Sequence, residues 1–242
     1  MKIITFLIGI ILSFNVNAQP LIEFVVTAAP GGANDTVTRK LVEKLEKHIS
    51  LKFIVLNKAG AAHVIGYNYV FNSDKPTLII STPEIISHDV YSKLDELYTL
   101  GYFTNTLFVS KKSNIQNFKQ LTELSKTREI IFGHGGYRTY SHQAMQTVCE
   151  KTLRCLDVAY KGGSQGMVAL MSGEIDAFAI TTYGTKQFFE NNNLLPIYNI
   201  TTKEKNWVKL FAKNIPLAER ELILNVLKSQ DFKFYSDVGF EK

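Results

Sequence analysis

The sequence predicts an α/β protein built on parallel sheets and divided into two lobes. Two observations carry that expectation. Short apolar or β-branched runs alternate with segments of helical periodicity, joined by turns rich in glycine, which is the pattern of parallel strands with helical crossovers. The pattern also comes in two batches, separated by a longer extended segment at residues 100–110, where the chain is expected to pass between lobes.

Residues 22–28 form a β-branched run that ends at Pro30-Gly31-Gly32. Over residues 35–48 the apolar positions Val37, Leu41, Val42 and Leu45 recur at helical spacing, with Ile49 just beyond. A second strand is expected at 53–56 with its turn at 57–60, then a helix around 66–71 and a strand at 77–81. Past the long extended segment, helices are expected at 117–126, 141–152 and 165–172, and strands at 129–132, 156–160 and 177–180. Two further helices are expected, around 207–211 and over 217–228. The return crossing is placed near 195–201. This gives a leader at 1–18, a first part of lobe one at 19–107, lobe two at 108–196, and a return to lobe one at 197–242.

The N-terminus sets the compartment. Met1-Lys2 is a short positive region, residues 3–14 are almost unbroken apolar, and Val16-Asn17-Ala18 puts small residues where a signal peptidase cuts. The run is shorter than the roughly 20 apolar residues of a membrane span. It reads as a secretory leader cleaved after Ala18, with an uncleaved anchor as the alternative. Later apolar stretches have only strand length. Loss of Lys2 with the leader lowers the formal charge from +5 to +4, and the lysines are spread out, without the basic stripe of a nucleic-acid-binding protein. A hydrophobic fraction of 45% excludes a disordered chain. Cys149 and Cys155, the two cysteines, have two readings. In an exported protein they can bridge and close a short loop, contributing about 2 kcal/mol; otherwise they are buried thiols.

Three glycine-bearing turns lie between a predicted strand and a predicted helix: residues 30–35, 133–139 and 161–164. At the carboxyl ends of parallel strands such turns face ligands. Each offers backbone N–H groups and a helix N-terminus, a site suited to a carboxylate. Alternatively, the glycines serve only the turns, and Asp35, Thr139 and Ser141 only cap helices.

Enzyme motifs are weaker. Gly162-Gly163-Ser164-Gln165-Gly166 fits the nucleophile-elbow pattern, yet no histidine follows His142, so a Ser–acid–His triad in that order is not available. Gly133-His134-Gly135-Gly136-Tyr137-Arg138 departs from the dinucleotide fingerprint at its third glycine. The five histidines show no metal-ligand spacing and the cysteines form no C-x-x-C pair. No catalytic residues, metal or cofactor are expected.

Residues 29–35, Ala-Pro-Gly-Gly-Ala-Asn-Asp, with Arg39 four positions on, resemble the signature of the Bug-type solute receptors of tripartite tricarboxylate transporters. Asn57-Lys58-Ala59-Gly60-Ala61 with Ile65-Gly66 is similar to their second turn, with Ala59 where proline is usual. Thr77-Leu78-Ile79-Ile80 resembles their third strand, here preceded by Asp74-Lys75-Pro76. Thr139-Tyr140-Ser141-His142, Ala159-Tyr160-Lys161-Gly162 and residues 170–176 resemble second-lobe motifs, and Trp207 with Pro216 the closing segment. The resemblance implies a type II periplasmic binding-protein fold, with two lobes joined by crossing strands. It implies a periplasmic, monomeric receptor that captures a small organic carboxylate and delivers it to integral-membrane transporter subunits; a ligand-sensing protein that signals in its closed form is the alternative. Carried over by position, the ligand-binding candidates are Gly31, Gly32, Ala33, Asp35, Thr82, Thr139, Ser141 and Thr181. Asp35 has a second reading as a cap of its own helix. Arg138 stands where the family has glycine, either to pair with a second carboxylate or to lie in solvent. Ile180 stands where aspartate is frequent, and the chain is short for the family after Thr201.

Overall fold

A computed structural model describes residues 21–82, 88–181, 183, 193–200, 206–229, 238 and 240. The leader expected at 1–18 lies outside the described residues. In the first lobe the order is β1 (Leu21–Val26), α1 (Ala33–His48), β2 (Lys52–Asn57), α2 (Val64–Asn72), β3 (Thr77–Ser81), a short α3 (His88–Tyr91) and β4 (Asp95–Phe103). The second lobe follows with β5 (Asn105–Ser110), α4 (Phe118–Thr127), β6 (Ile130–His134), α5 (Tyr140–Lys151), β7 (Cys155–Ala159), α6 (Gly163–Ser172), β8 (Ala177–Thr181) and β9 (Leu194–Ile200). Then come β10 (Asn206–Lys213) and α7 (Leu217–Lys228).

The strands make two five-stranded sheets, ordered β2-β1-β3-β10-β4 and β7-β6-β8-β5-β9. β1 runs parallel to β2 and β3, whereas β10 enters antiparallel between β3 and β4. In the second sheet β6 is parallel to β7 and β8, and β5 is antiparallel to β8 and β9. Alternation decides which side chains go to which face. Ile22 and Phe24 of β1 join Leu41 and Leu45 of α1 in one core, and Val25 joins Tyr67 and Val70 of α2 on the other face. The second sheet is likewise packed on both faces, against α4 and α5 on one side and α6 on the other.

Local signals explain most boundaries. Asn117 caps α4 by accepting from the Gln120 N–H at 3.0 Å. Gly173 ends α6 in a left-handed conformation, φ 82°. Cys149 and Cys155 are bonded to each other and tie the end of α5 to the start of β7.

Four places differ from the sequence reading. Residues 100–110 are two strands in different sheets, so the chain changes sheets at Thr104 rather than at 107–108. β9 belongs to the second sheet through Ile200, although return to the first lobe was expected from 197. β4 begins at Asp95, upstream of the apolar stretch that announced it. Residues 207–211, expected helical from the spacing of Trp207, Leu210 and Phe211, lie in strand β10. There Val208, Leu210 and Ala212 enter one core while Phe211 enters the opposite one, and the slot between β3 and β4 supplies hydrogen bonds on both sides. Tertiary pairing overrides the local period.

Gly166 shows how closely α6 sits on its sheet. A Cβ built on it would lie 2.0 Å from Cε2 of the buried Phe178 ring. Gly166→Ala is therefore expected to destabilise the protein by about 2 kcal/mol and to lower Tm by roughly 4–8 °C in a thermal melt. An unchanged midpoint would show that the helix has room to move off the sheet.

Candidate functional site

The carboxyl ends of β1, β3, β6, β7 and β8 face one another across the gap between the lobes, and they enclose a cavity of about 100 Å3. Three helix N-termini reach it: Gly32 and Ala33 at α1, Thr139 to Ser141 at α5, and Gly162 to Ser164 at α6. The loops meet closely, since a Cβ on Gly32 would lie 3.4 Å from Ser164 Oγ. α1 and α6 begin with Gly32 and Gly162 as N-caps and have no side-chain capping bond. Their first-turn N–H groups thus keep capacity for an outside acceptor. No Lys, Arg, Asp or Glu lines the cavity among the described residues.

Aromatic rings close the base of the cleft. Phe103, at the end of β4, packs edge-on against Tyr140 at 5.2 Å and tilted against Tyr183 at 5.0 Å. Tyr183 stacks on Phe240 and donates to Asn34 Oδ1, a contact that spans the lobes.

The hydroxyls divide into two kinds. Thr139 donates to the Gly136 carbonyl at 2.6 Å and accepts from the His142 N–H at 3.3 Å. Ser141 accepts from the Gly135 N–H at 2.8 Å and, with the Thr139 proton already committed, donates to Thr139 Oγ1 at 2.9 Å. These two build the loop. Thr82 Oγ1 and Ser164 Oγ, on opposite lobes, are buried with no partner among the described residues. A buried hydroxyl left so costs about 1–3 kcal/mol, and a bound ligand can supply the missing bonds. Among the described residues Ser164 has no hydrogen bond to a base that would activate it as a nucleophile.

Of the residues expected from sequence, Gly32, Ala33, Thr82, Thr139, Ser141 and Thr181 line the cavity. Gly31, Asp35 and Arg138 do not. The Asp35 carboxylate accepts from the Gly31 N–H at 2.9 Å, from Arg39 Nε at 3.0 Å and from Asn57 Nδ2 at 2.9 Å, which clamps the loop ahead of α1. Burial acts to raise its pKa, but Arg39, Gly31 and Asn57 outweigh it and hold the carboxyl below its usual range. Arg138 is exposed, with its backbone at φ 64°. Ile180 lines the wall as an apolar residue. The sequence reading missed Asn34, His63, Ser164 and Tyr183 as cleft residues. Only Ser164 carried a signal, as the first-turn hydroxyl after the third glycine turn.

His134, His142 and Asp157 come together although their spacing gave no metal pattern, each offering one ligand atom within 4.8 Å of the others. His134 Nε2 lies 2.6 Å from Asp157 Oδ1, without the alignment of a hydrogen bond, and His142 Nε2 lies 3.9 Å from Oδ2. Each Nδ1 accepts a backbone N–H, from Gly136 at 3.1 Å and Arg138 at 3.3 Å. Both protons therefore sit on Nε2 and face the carboxylate, which opposes metal ligation and instead steadies the 135–139 loop.

The family model described as "Tripartite tricarboxylate transporter family receptor" matches residues 37–206. The chain belongs to that family. A protein encoded in the tcbD–tcbE intergenic region of Pseudomonas sp. strain P51 is 25% identical over 169 residues, 64% of this chain and 50% of that protein. The chain spans about half the length of the curated relatives it matches. Among solved structures, Rpa4515 of R. palustris with adipate superposes with a TM-score of 0.75 at 18% identity, covering 89% of this chain and 85% of that one. MatC of Rhodopseudomonas palustris with bound malate gives 0.73 at 14% identity, covering 92% and 90%. The fold is that of the two-lobed periplasmic binding proteins.

The imidazoles predict a pH response. Burial lowers the pKa of His142, helped by His134 and opposed by Asp157; burial likewise lowers that of His63, partly offset by the Thr27 carbonyl. Tyr137 covers the pair His134 and His142 from the loop side. Both shifted groups bind protons more readily in the unfolded chain. Their contribution is full above about pH 6.5, the ordinary value, and is lost as pH falls toward the depressed folded values. The urea midpoint is expected to fall between about pH 7.5 and pH 5.5, and His142→Gln to flatten the fall. A midpoint constant over that window would contradict this assignment.

Proposed function

We propose that this chain is a periplasmic solute receptor that captures a small organic carboxylate between its lobes and delivers it to the membrane subunits of a tripartite tricarboxylate-type transporter. The observation that carries this reading is the convergence of three helix N-termini and two unpartnered buried hydroxyls on a cavity with no charged side chain. Aligned N–H groups favour an anion, and Thr82 and Ser164 can donate to carboxylate oxygens from opposite lobes. Solved structures of the same fold were determined with adipate and with malate, both small carboxylates. Family membership supports the transport role. No helix among the described residues is long and apolar enough to cross a membrane. The chain performs no bond chemistry in this reading; its work is differential affinity for the open and closed arrangements of its lobes.

Thermal-shift and calorimetric titration with mono-, di- and tricarboxylates tests it. At a thousandfold excess over Kd a ligand adds about 4 kcal/mol, which raises Tm by roughly 8–16 °C. Thr82→Val and Ser164→Ala remove hydroxyls that have no partner among the described residues. They are expected to leave its Tm unchanged or slightly raised while weakening binding about 10- to 100-fold. If no carboxylate shifts ligand-free protein, or if both variants bind as well as the parent, the reading fails.

A further inference from the structure

His63 is held in an unusual way. Ala61, Ala62 and His63 are three successive non-glycine residues in the left-handed region, with φ 46°, 49° and 76°. Such residues are individually uncommon and each costs free energy. His63 nevertheless stands as N-cap of α2, with no capping bond from its side chain. The strained turn places its imidazole at the seam of two spaces. One is the cleft cavity; the other, of about 340 Å3, opens beyond it between residues 59–63 of the first lobe and the 135–137 and 160–162 turns of the second. Ala28, His63, Gly135 and Gly162 line both, so the two spaces meet at these residues.

The ring is also fixed chemically. Nδ1 lies 2.9 Å from Thr27 Oγ1 and 3.2 Å from the Thr27 carbonyl oxygen. A carbonyl only accepts, so the proton belongs on Nδ1. Nε2 then carries a lone pair, and it has no partner among the described residues. Burial keeps the ring neutral near pH 7. Among the described residues no acidic side chain lines either space, and Lys161 lines the outer one, so these residues offer nothing to balance an ammonium group.

We propose that His63 is the specificity-determining residue of the cleft: its Nε2 accepts a hydrogen bond from a hydroxyl on the bound acid, so that hydroxycarboxylates are selected over their deoxy counterparts. This rests on the carboxylate-receptor reading and deepens it. A site whose closure over the ligand withdraws this half-buried acceptor from water discriminates strongly against a ligand lacking the donor, because that ligand leaves the acceptor unpaired.

Isothermal titration of the ligand-free protein with matched pairs, malate against succinate and lactate against propionate, tests the assignment. His63→Gly is the informative variant, since glycine adopts φ 76° without strain and so keeps the backbone of the turn. The parent is expected to bind the hydroxy acid of at least one pair tenfold or more tighter. In His63→Gly that ratio should collapse to about one, with the affinity for the deoxy acid unchanged. Equal binding within both pairs, or a preference that survives in His63→Gly, would overturn this role while the receptor reading stands. Absence of binding by every carboxylate in the wider screen would instead remove the receptor reading, and this one with it.

Discussion

Among the described residues strand β4 has a single neighbour in its sheet, and that neighbour is β10, more than a hundred residues later in the chain. The first lobe therefore cannot be completed until the chain has made the second lobe and come back. This constraint organises the molecule. It places the outward crossing at Thr104 beside the returning strand. It sets Phe103 at the base of the gap, where rings from the second lobe meet it. It also aligns the carboxyl ends of both parallel strand sets on one cleft. Loop-closure entropy opposes so distant a pairing, and the apolar cores on both faces of β10 offset it.

In the receptor reading the cleft draws an anion without a cation. A buried ammonium or guanidinium would carry a large desolvation penalty whenever the site stood empty. Backbone dipoles at helix starts avoid that penalty and are fixed by the fold. The Asp35 clamp fits the same logic. A carboxylate so near the α1 N-terminus would repel an incoming acid, but Arg39 and Asn57 bind its oxygens on the far side of the loop while the Gly31 N–H holds the turn in place. The negative charge is thus turned to shaping the loop rather than facing the ligand.

Much of this could be read from sequence because its causes are local. The strands at residues 77–81 and 177–181, the helix at 217–228 and the three glycine turns all announce themselves through short-range pattern. What escaped reading has non-local causes. The period of residues 207–211 is helical, yet the vacant slot between β3 and β4 decides their conformation. The polar start of β4 shows no alternation to betray a strand. Asp35 and Ser141 were readable as polar groups at helix starts, but whether such a group faces inward to the loop or outward to a ligand depends on partners such as Asn57 and Gly135. Nothing in Ala61-Ala62 signals a left-handed backbone; of the three residues only His63 is of a type enriched there, and a single histidine is too weak a signal to read.

The rings along β4 have an optical consequence. Trp207, the single tryptophan, packs edge-on against Tyr102 at 5.5 Å. Tyr102 adjoins Phe103, whose ring touches Tyr140 and Tyr183. Successive side chains of β4 point to opposite faces, so the partly exposed indole rests on Tyr102 while Phe103 carries the ring cluster on the other face. The emission of Trp207 therefore reports on the β4–β10 pair beside the crossing, rather than on the cleft itself.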